Sequence, residues 1–233
     1  MIKAEKIGVI AAMQIEIDAL KERLEDKAVY TYSGIEYVTG KLHGKEIIAA
    51  KCGIGKVFAA VCAQTMILNF APDCIINTGV GGALSRELII GDLVIGEKTV
   101  QYDMDTSAIG DPVGLVSGIN VVYFDCDAEV RAVINKSAEA LGLRHREGTI
   151  ACGDKFVADP NLKNSIVSNF GAISCDMESA AMSQVCYINE TPFGVIRAIS
   201  DGADDGAHMD YPTFAAAAAK NGIDLTDKFI EMV

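Results

Sequence analysis

No run of the 233-residue chain is apolar for long enough to cross a membrane as a helix. The opening residues, MIKAEKIGVIAAM, have too short an apolar core and the wrong flanks for a secretory leader. Basic clusters are missing too: 20 lysines and arginines face 32 acids, for a formal net charge of −12. Nucleic acid and anionic membrane surfaces both need such clusters, so this balance disfavours either as a partner. There is no C-x-x-C pair among the seven cysteines (Cys52, Cys62, Cys74, Cys126, Cys152, Cys175 and Cys186). Most fall inside apolar runs, which points to small buried thiols in a reducing compartment, not to disulfides or a zinc site. Cytoplasm is the expected location. With five prolines, no linker-like stretch and no internal repeat, residues 1–233 are read as one domain.

Half of the residues are hydrophobic, enough for a packed core. Lys6–Ala12 is a near-continuous apolar run, the pattern of a strand covered on both faces, and Met13–Leu20 has helical spacing. Tyr30–Lys51 alternates, with turns at Gly34, Gly40 and Gly44, as in an antiparallel meander. Gly53-Ile54-Gly55-Lys56 opens a helix over Val57–Asn69 and could cradle an anion, but it lacks the spacing of a dinucleotide fingerprint or a P-loop. Pro72–Thr78 reads as a buried strand running into Gly79-Val80-Gly81-Gly82, glycines that permit close approach of backbone to a ligand. Leu88–Val100 reads as more sheet, with Gly91-Asp92 as its turn, and residues 101–119 as an irregular polar loop.

Farther on, Asp125–Leu141 is an amphipathic helix, Arg146–Cys152 a strand, Asp159-Pro160 a helix start and Gly171–Cys175 a short strand. A helix of small residues follows Asp176-Met177-Glu178-Ser179, Phe193–Ile199 is a strand, and a long alanine-rich helix covers Tyr211–Met232. Strand ends followed by a glycine-rich or acidic turn and then usually a helix recur at 12, 78, 152, 175 and 200. The fold expected is an α/β three-layer sandwich, a central mixed sheet flanked by helices.

In such sheets ligands bind beyond the carboxyl ends of the strands. Glu16, Glu178 and Asp201 fall at three of those ends. Singly, each has an ordinary explanation: Asp is common in turns, and an acid suits a helix N-terminus. Together with Met13, Met177, Phe156 and Val157 they suggest a partly apolar pocket with several acids. Acids converging there should acquire separated pKa values, the equipment for breaking a glycosidic bond. Asp201, Asp204, Asp205, His208 and Asp210 could be taken for a metal site; acidic loop residues with one histidine are more often solvated turn residues, and no metal or other cofactor is expected.

Seven short motifs in order resemble the 5′-methylthioadenosine/S-adenosylhomocysteine nucleosidases of the nucleoside phosphorylase superfamily. They are Ile7–Met13 with Glu16, Gly53–Lys56, Ile76–Gly79, Gly91-Asp92, Gly153–Phe156, Asp176–Glu178 and Arg197–Asp201. The resemblance implies a nucleoside phosphorylase-like fold and a purine nucleoside as substrate. It implies that Asp201 protonates the purine, Glu16 activates water and Glu178 binds the ribose hydroxyls. By the same resemblance Met177 packs on the sugar, Phe156 stacks on the purine and the backbone of Val157 reads its edge. Arg197 would hold the acids in place, Ser200 would orient Asp201, and Met13, Ile54 and Tyr211 would line the slot for the 5′ substituent. Family members commonly carry serine where this chain has Val80, which weakens any phosphate site and bears on substrate preference. A homodimer is implied, with the loop at 101–119 covering the neighbour's slot.

Hydrolase is separated from phosphorylase at Glu16. Phosphate held about 4 Å from a carboxylate would be repelled by about 4 kcal/mol at an effective dielectric of 20, so water is the expected nucleophile. The competing readings are a purine nucleosidase or phosphorylase for another substrate, such as a futalosine-type nucleoside, and a nucleoside-binding protein without catalysis.

Overall fold

The computed structural model describes residues 3–204 and 206–233. Its apolar runs form the strands of one sheet. β1 (Lys6–Ala11) pairs in parallel with β4 (Lys45–Lys51) and β5 (Cys74–Ala83). β5 pairs in parallel with β10 (Phe193–Asp201), so four carboxyl ends emerge along one edge. β2 (Glu25–Tyr32) and β3 (Ile35–Leu42) extend the sheet beyond β4 as antiparallel hairpins. On the other side β10 meets β6 (Leu93–Gln101) antiparallel, β6 meets β8 (His145–Cys152) parallel, and β8 meets β9 (Ser174–Asp176) parallel. β9 returns to β5 at Gly82 and Ala83. Strands β5, β10, β6, β8 and β9 thus close into a ring, with β7 (Tyr123–Asp125) added on β6. Closure brings the ends of β9 and β10 to the end of β5, and all three carry residues of the site described below.

Apart from the exposed edge strand β2, the sheet is covered by helices on both faces, as its continuous hydrophobic strands require. On one face α2 (Lys56–Phe70) and α5 (Ser179–Ile188) bury Ala59, Cys62, Met66, Met182 and Cys186 against Ile10, Ile75 and Val195. On the other, α1 (Asp18–Arg23), α3 (Ala128–Ala140) and α6 (Ala207–Met232) bury Leu20, Val130, Ile134, Ile223 and Phe229 against Val9, Ile76 and Ile196. α4 (Pro160–Phe170) packs Ile166 and Phe170 on Val100 and Ala151. α4 begins where the sequence indicates, at Asp159, whose carboxylate accepts the Asn161 N–H. α3 begins at Ala128, later than the expected Asp125, because Asp125 ends β7 and the Asp127 carboxylate caps the helix by accepting the Glu129 and Val130 N–H groups. All seven cysteines are buried and free. No described helix is long and apolar enough to cross a membrane.

Five other local readings are corrected. Gly40 is not a turn; it lies inside β3, paired with Ile47 of β4. The glycines Gly79, Gly81 and Gly82 are not a turn after a strand ending at Thr78; β5 runs through them to Ala83. Residues 88–92 are turn, and the strand begins at Leu93, because Asp92 accepts the Ile89 N–H and stops the extended run. The helix expected over Met13–Leu20 is split into a 3₁₀ turn, Gln14–Glu16, and α1, because the Glu16 carboxylate turns back to accept the Met13 N–H at 2.8 Å. Finally, α6 starts at Ala207, a turn before Tyr211, with Pro212 inside it. That earlier start places His208 and Tyr211 three apart, on neighbouring positions of one helix face.

Candidate active site

A cavity of about 430 Å³ opens at the carboxyl ends of β1, β5, β9 and β10. Glu16, Glu178 and Asp201, separated by up to 185 positions in the chain, all line it. Met13, Ile54, Val80, Phe156, Val157, Met177, Ser200 and Tyr211 line it as well. Arg197 does not: its side chain, 1% exposed, lies behind the wall.

Glu16 is 3% exposed and its two oxygens are held by different elements. One accepts the Met13 N–H and the other the Val80 N–H at 2.9 Å. Gly79 makes room for it, since a Cβ there would stand 2.9 Å from the Glu16 carboxylate. Glu178 accepts the Gly55 N–H at 2.9 Å from the entry to α2. Burial raises the pKa of both acids; Glu178 reaches about 7, pushed further by the neighbouring Asp176 and restrained by Arg197.

Arg197 is the cation at the centre of this end. Its Nε lies 2.7 Å from Asp176 Oδ2, a close ion pair that excludes water. One terminal nitrogen donates to Asn77 Oδ1 at 2.5 Å and the other to the Ile196 carbonyl at 2.9 Å. Asp176 in turn accepts from the Ser179 hydroxyl and backbone. A buried guanidinium is tolerated only with such partners. The motif reading included Asp176 without giving it a task; the clue was the interior Arg197, which needed an acid nearby at another strand end.

Asp201 is held differently. Its Oδ2 accepts the Ser200 hydroxyl and its Oδ1 the Ala203 N–H, both at 2.9 Å. Burial raises its pKa, and the anionic Asp204 and Asp210 push the same way, against the two hydrogen bonds. Gly82 lets it approach β5, since a Cβ there would be 3.0 Å from Asp201 Oδ1. The glycines of β5 therefore admit two of the protein's own carboxylates. Gly81 and Gly82 also line the cavity, as their reading as glycines near a ligand implies, along with Ala12, Lys155, Cys175 and His208, for which no substrate-binding role is read from the sequence.

The apolar wall is built by rings and sulfur. Phe156 and Tyr211 meet edge to face, with centroids 5.6 Å apart. The Tyr211 hydroxyl donates to Met13 Sδ at 2.9 Å. Phe156 is 42% and Ile54 55% exposed, so this side of the cavity faces outward. Val157 is buried, and its backbone amide and carbonyl have no hydrogen-bond partner among the described residues, which leaves them available to a ligand. No group of three or more histidine, cysteine or acidic side chains among the described residues is arranged to hold a metal ion. Asp205 of the acidic loop lies outside them.

Residues 6–231 match the model of the phosphorylase superfamily. A 5′-methylthioadenosine/S-adenosylhomocysteine nucleosidase from Shewanella pealeana is 38% identical over 215 residues, 91% of this chain and 93% of the relative. The solved nucleosidase of that name from Neisseria meningitidis, in complex with methylthio-immucillin-A, superposes with a TM-score of 0.95 at 35% identity, over 98% of this chain and all of the other. A futalosine hydrolase from Helicobacter pylori also superposes with a TM-score of 0.95, at 32% identity and 98% coverage of both chains.

Proposed function

The chain belongs to the phosphorylase superfamily and, within it, to the 5′-methylthioadenosine/S-adenosylhomocysteine nucleosidases, and from that membership we propose that it hydrolyses the N-glycosidic bond of these two nucleosides to adenine and a thioribose. One observation carries the reading: a single cavity has two buried glutamates at one end, an aspartate with a raised pKa at the other, and an aromatic wall beside them.

The division of labour follows from the chemistry. Glu16 takes a proton from water as the water oxygen bonds to the anomeric carbon. The electron pair of the breaking bond passes into adenine, which receives the Asp201 proton at N7. Glu178 accepts the ribose hydroxyls and stabilises positive charge building on the sugar. Phe156 stacks on the base, the Val157 backbone reads its edge and Met177 packs on the sugar. Met13, Ile54 and Tyr211 form the slot for the 5′ substituent, and Val80 tightens the wall near the sugar. Ser200 orients Asp201, and Arg197 acts through Glu16 and Glu178 without touching substrate. Neither metal nor organic cofactor enters this scheme, and activity is expected to survive a chelator.

The chain is read as a single domain, homodimeric and cytoplasmic. The sheet running from Lys6 to Asp201 supports the first. Exposed Val57, Phe58 and Leu68 on α2 and Ile188 on α5, two helices packed side by side, together with Ile109 in the 102–122 loop, support the second. Seven buried free thiols support a reducing compartment.

The test is product analysis with methylthioadenosine, with and without phosphate. Adenine and free methylthioribose, indifferent to phosphate, are expected. A sugar 1-phosphate formed only with phosphate would overturn the role of Glu16. The Helicobacter pylori neighbour favours a second reading, so futalosine belongs in the same assay: its turnover in preference to methylthioadenosine and S-adenosylhomocysteine would make this chain a futalosine hydrolase.

A further inference from the structure

The Gly53–Lys56 turn has the form of an anion cradle at a helix N-terminus, yet two of its amides are already taken by the protein's own carboxylates and the Gly53 N–H by the Ala12 carbonyl. The Gly55 N–H donates to Glu178 at 2.9 Å and the Lys56 N–H to Asp154 Oδ1 at 2.8 Å. Asp154 offers its own N–H to Asp103 Oδ2 at 2.9 Å, and Asp103 Oδ1 receives the Lys56 ammonium at 2.6 Å. The three residues form a closed circuit: Lys56 to Asp154, Asp154 to Asp103, Asp103 back to Lys56. The ammonium also donates to Gln101 Oε1 at 3.2 Å. Only 19% of the Lys56 side chain and 30% of the Asp103 side chain are exposed, so the pair is partly shielded from water and salt.

The circuit ties together the entry to α2, the end of β6 and the segment after β8. Two of the three ties sit within two residues of the cavity: Ile54 and the Glu178-binding Gly55 precede Lys56, and Phe156 follows Asp154 by two. Gly53 and Gly55 have φ of +96° and +100°, a turn that glycine enters easily but does not hold by itself.

We propose that Lys56, with Asp103 and Asp154, is a positioning device that holds the Gly53–Lys56 turn so that the Gly55 N–H stays on Glu178 and Ile54 stays in the cavity wall. Its consequence for turnover rests on the reading of Glu178 as the ribose-binding acid. Its consequence for Glu178 itself does not, and that separates the two tests.

The groups facing Glu178 are Asp176 and Glu16, which oppose its ionisation, and Arg197 and the Gly55 N–H, which favour it. Opening the circuit frees the Gly55 N–H, and Glu178 should then titrate higher. The measurement is the Glu178 titration in the ligand-free protein by carboxyl ¹³C NMR, assigned with Glu178→Gln, for the wild type, Lys56→Met, Lys56→Arg and Asp103→Asn. If the circuit acts by position, Lys56→Met and Asp103→Asn both move the midpoint upward, by about one pH unit, although they change the local charge in opposite directions. Lys56→Arg stays near the wild type. Shifts of opposite sign in the two variants would reduce Lys56 to a distant charge, and no shift in either would leave it a surface ion pair; both outcomes overturn the proposal. In turnover, Lys56→Met should raise KM for methylthioadenosine about tenfold with a smaller change in kcat, and Lys56→Arg should restore most of it. An unchanged KM beside an upward-shifted titration would reject the assigned role of Glu178 while leaving the circuit standing.

Discussion

The two ends of the cavity hold their acids by opposite means. At the Glu16 and Glu178 end, each carboxylate takes a backbone N–H from a distant element, Val80 for Glu16 and Gly55 for Glu178, besides the local Met13 N–H on Glu16. Each faces a fully buried Arg197, itself balanced by Asp176 and Asn77. At the Asp201 end the hydrogen bonds are local, from Ser200 and Ala203, and the charged neighbours raising the pKa, Asp204 and Asp210, are anions. Burial raises the pKa at both ends. At the first, Arg197 restrains both acids, although Asp176 adds to the rise at Glu178; at the second no cation restrains it and like charge adds to it. On the roles proposed above, a base and an acid are obtained from the same side-chain chemistry by changing what stands behind it.

The largest expected effects come from disabling each end chemically. Asp201→Asn should lower kcat by about 100-fold or more while substrate binding is kept, and Glu16→Gln should lower it by a similar factor, as expected for a lost proton-transfer group. Single-turnover adenine release together with equilibrium binding of methylthioadenosine checks both. Next is the cation. Arg197→Met leaves Asp176 buried without its counter-charge and should destabilise the protein by about 3–5 kcal/mol, read by urea denaturation. The Asp176→Asn, Arg197→Met double variant should recover part of that loss, and an additive loss would mean that the pair is not the unit described here.

A smaller effect is a pH dependence of stability. Glu178 titrates near 7 in the folded protein against an ordinary value of 4.5, so the folded state binds the extra proton. Its contribution is therefore fully present below about pH 4.5 and is lost as pH rises through 7. Glu178→Gln should be more stable than the wild type at pH 8, by about 1–2 kcal/mol, and the gain should shrink toward pH 5. A gain that is constant with pH would contradict the linkage. The smallest effect belongs to Ser200→Ala. It removes a hydrogen bond that favours the ionised Asp201, so the alkaline limb of kcat/KM should move slightly upward with little change in kcat.

The contrast between the two ends also marks what the sequence makes legible. Asp201 and Ser200 are adjacent, and Asp201 takes its second hydrogen bond from Ala203, so their environment is written in one short motif. Glu16 has one local partner, Met13, but its other partner, Val80, and those of Arg197, Asn77 and Asp176, are far away in the chain, and only folding brings them together. The sheet and its flanking helices follow from apolar runs and aspartate caps. Closure of β5, β10, β6, β8 and β9 into a ring does not, because periodicity fixes which face of a strand is buried and says nothing of which strands pair. The glycines at 79 and 82 mark sites of close approach in the sequence. The approaching groups turned out to be the side chains of Glu16 and Asp201.

The most direct test of the account is the pH dependence of kcat/KM for methylthioadenosine in the wild type and in Asp201→Asn. An acid that must carry its proton loses activity as pH rises through its pKa, so the wild type should show an alkaline limb. Asp201→Asn, far slower, should have lost that limb and kept the acid one. Persistence of the alkaline limb in Asp201→Asn would show that the proton reaching the purine comes from elsewhere.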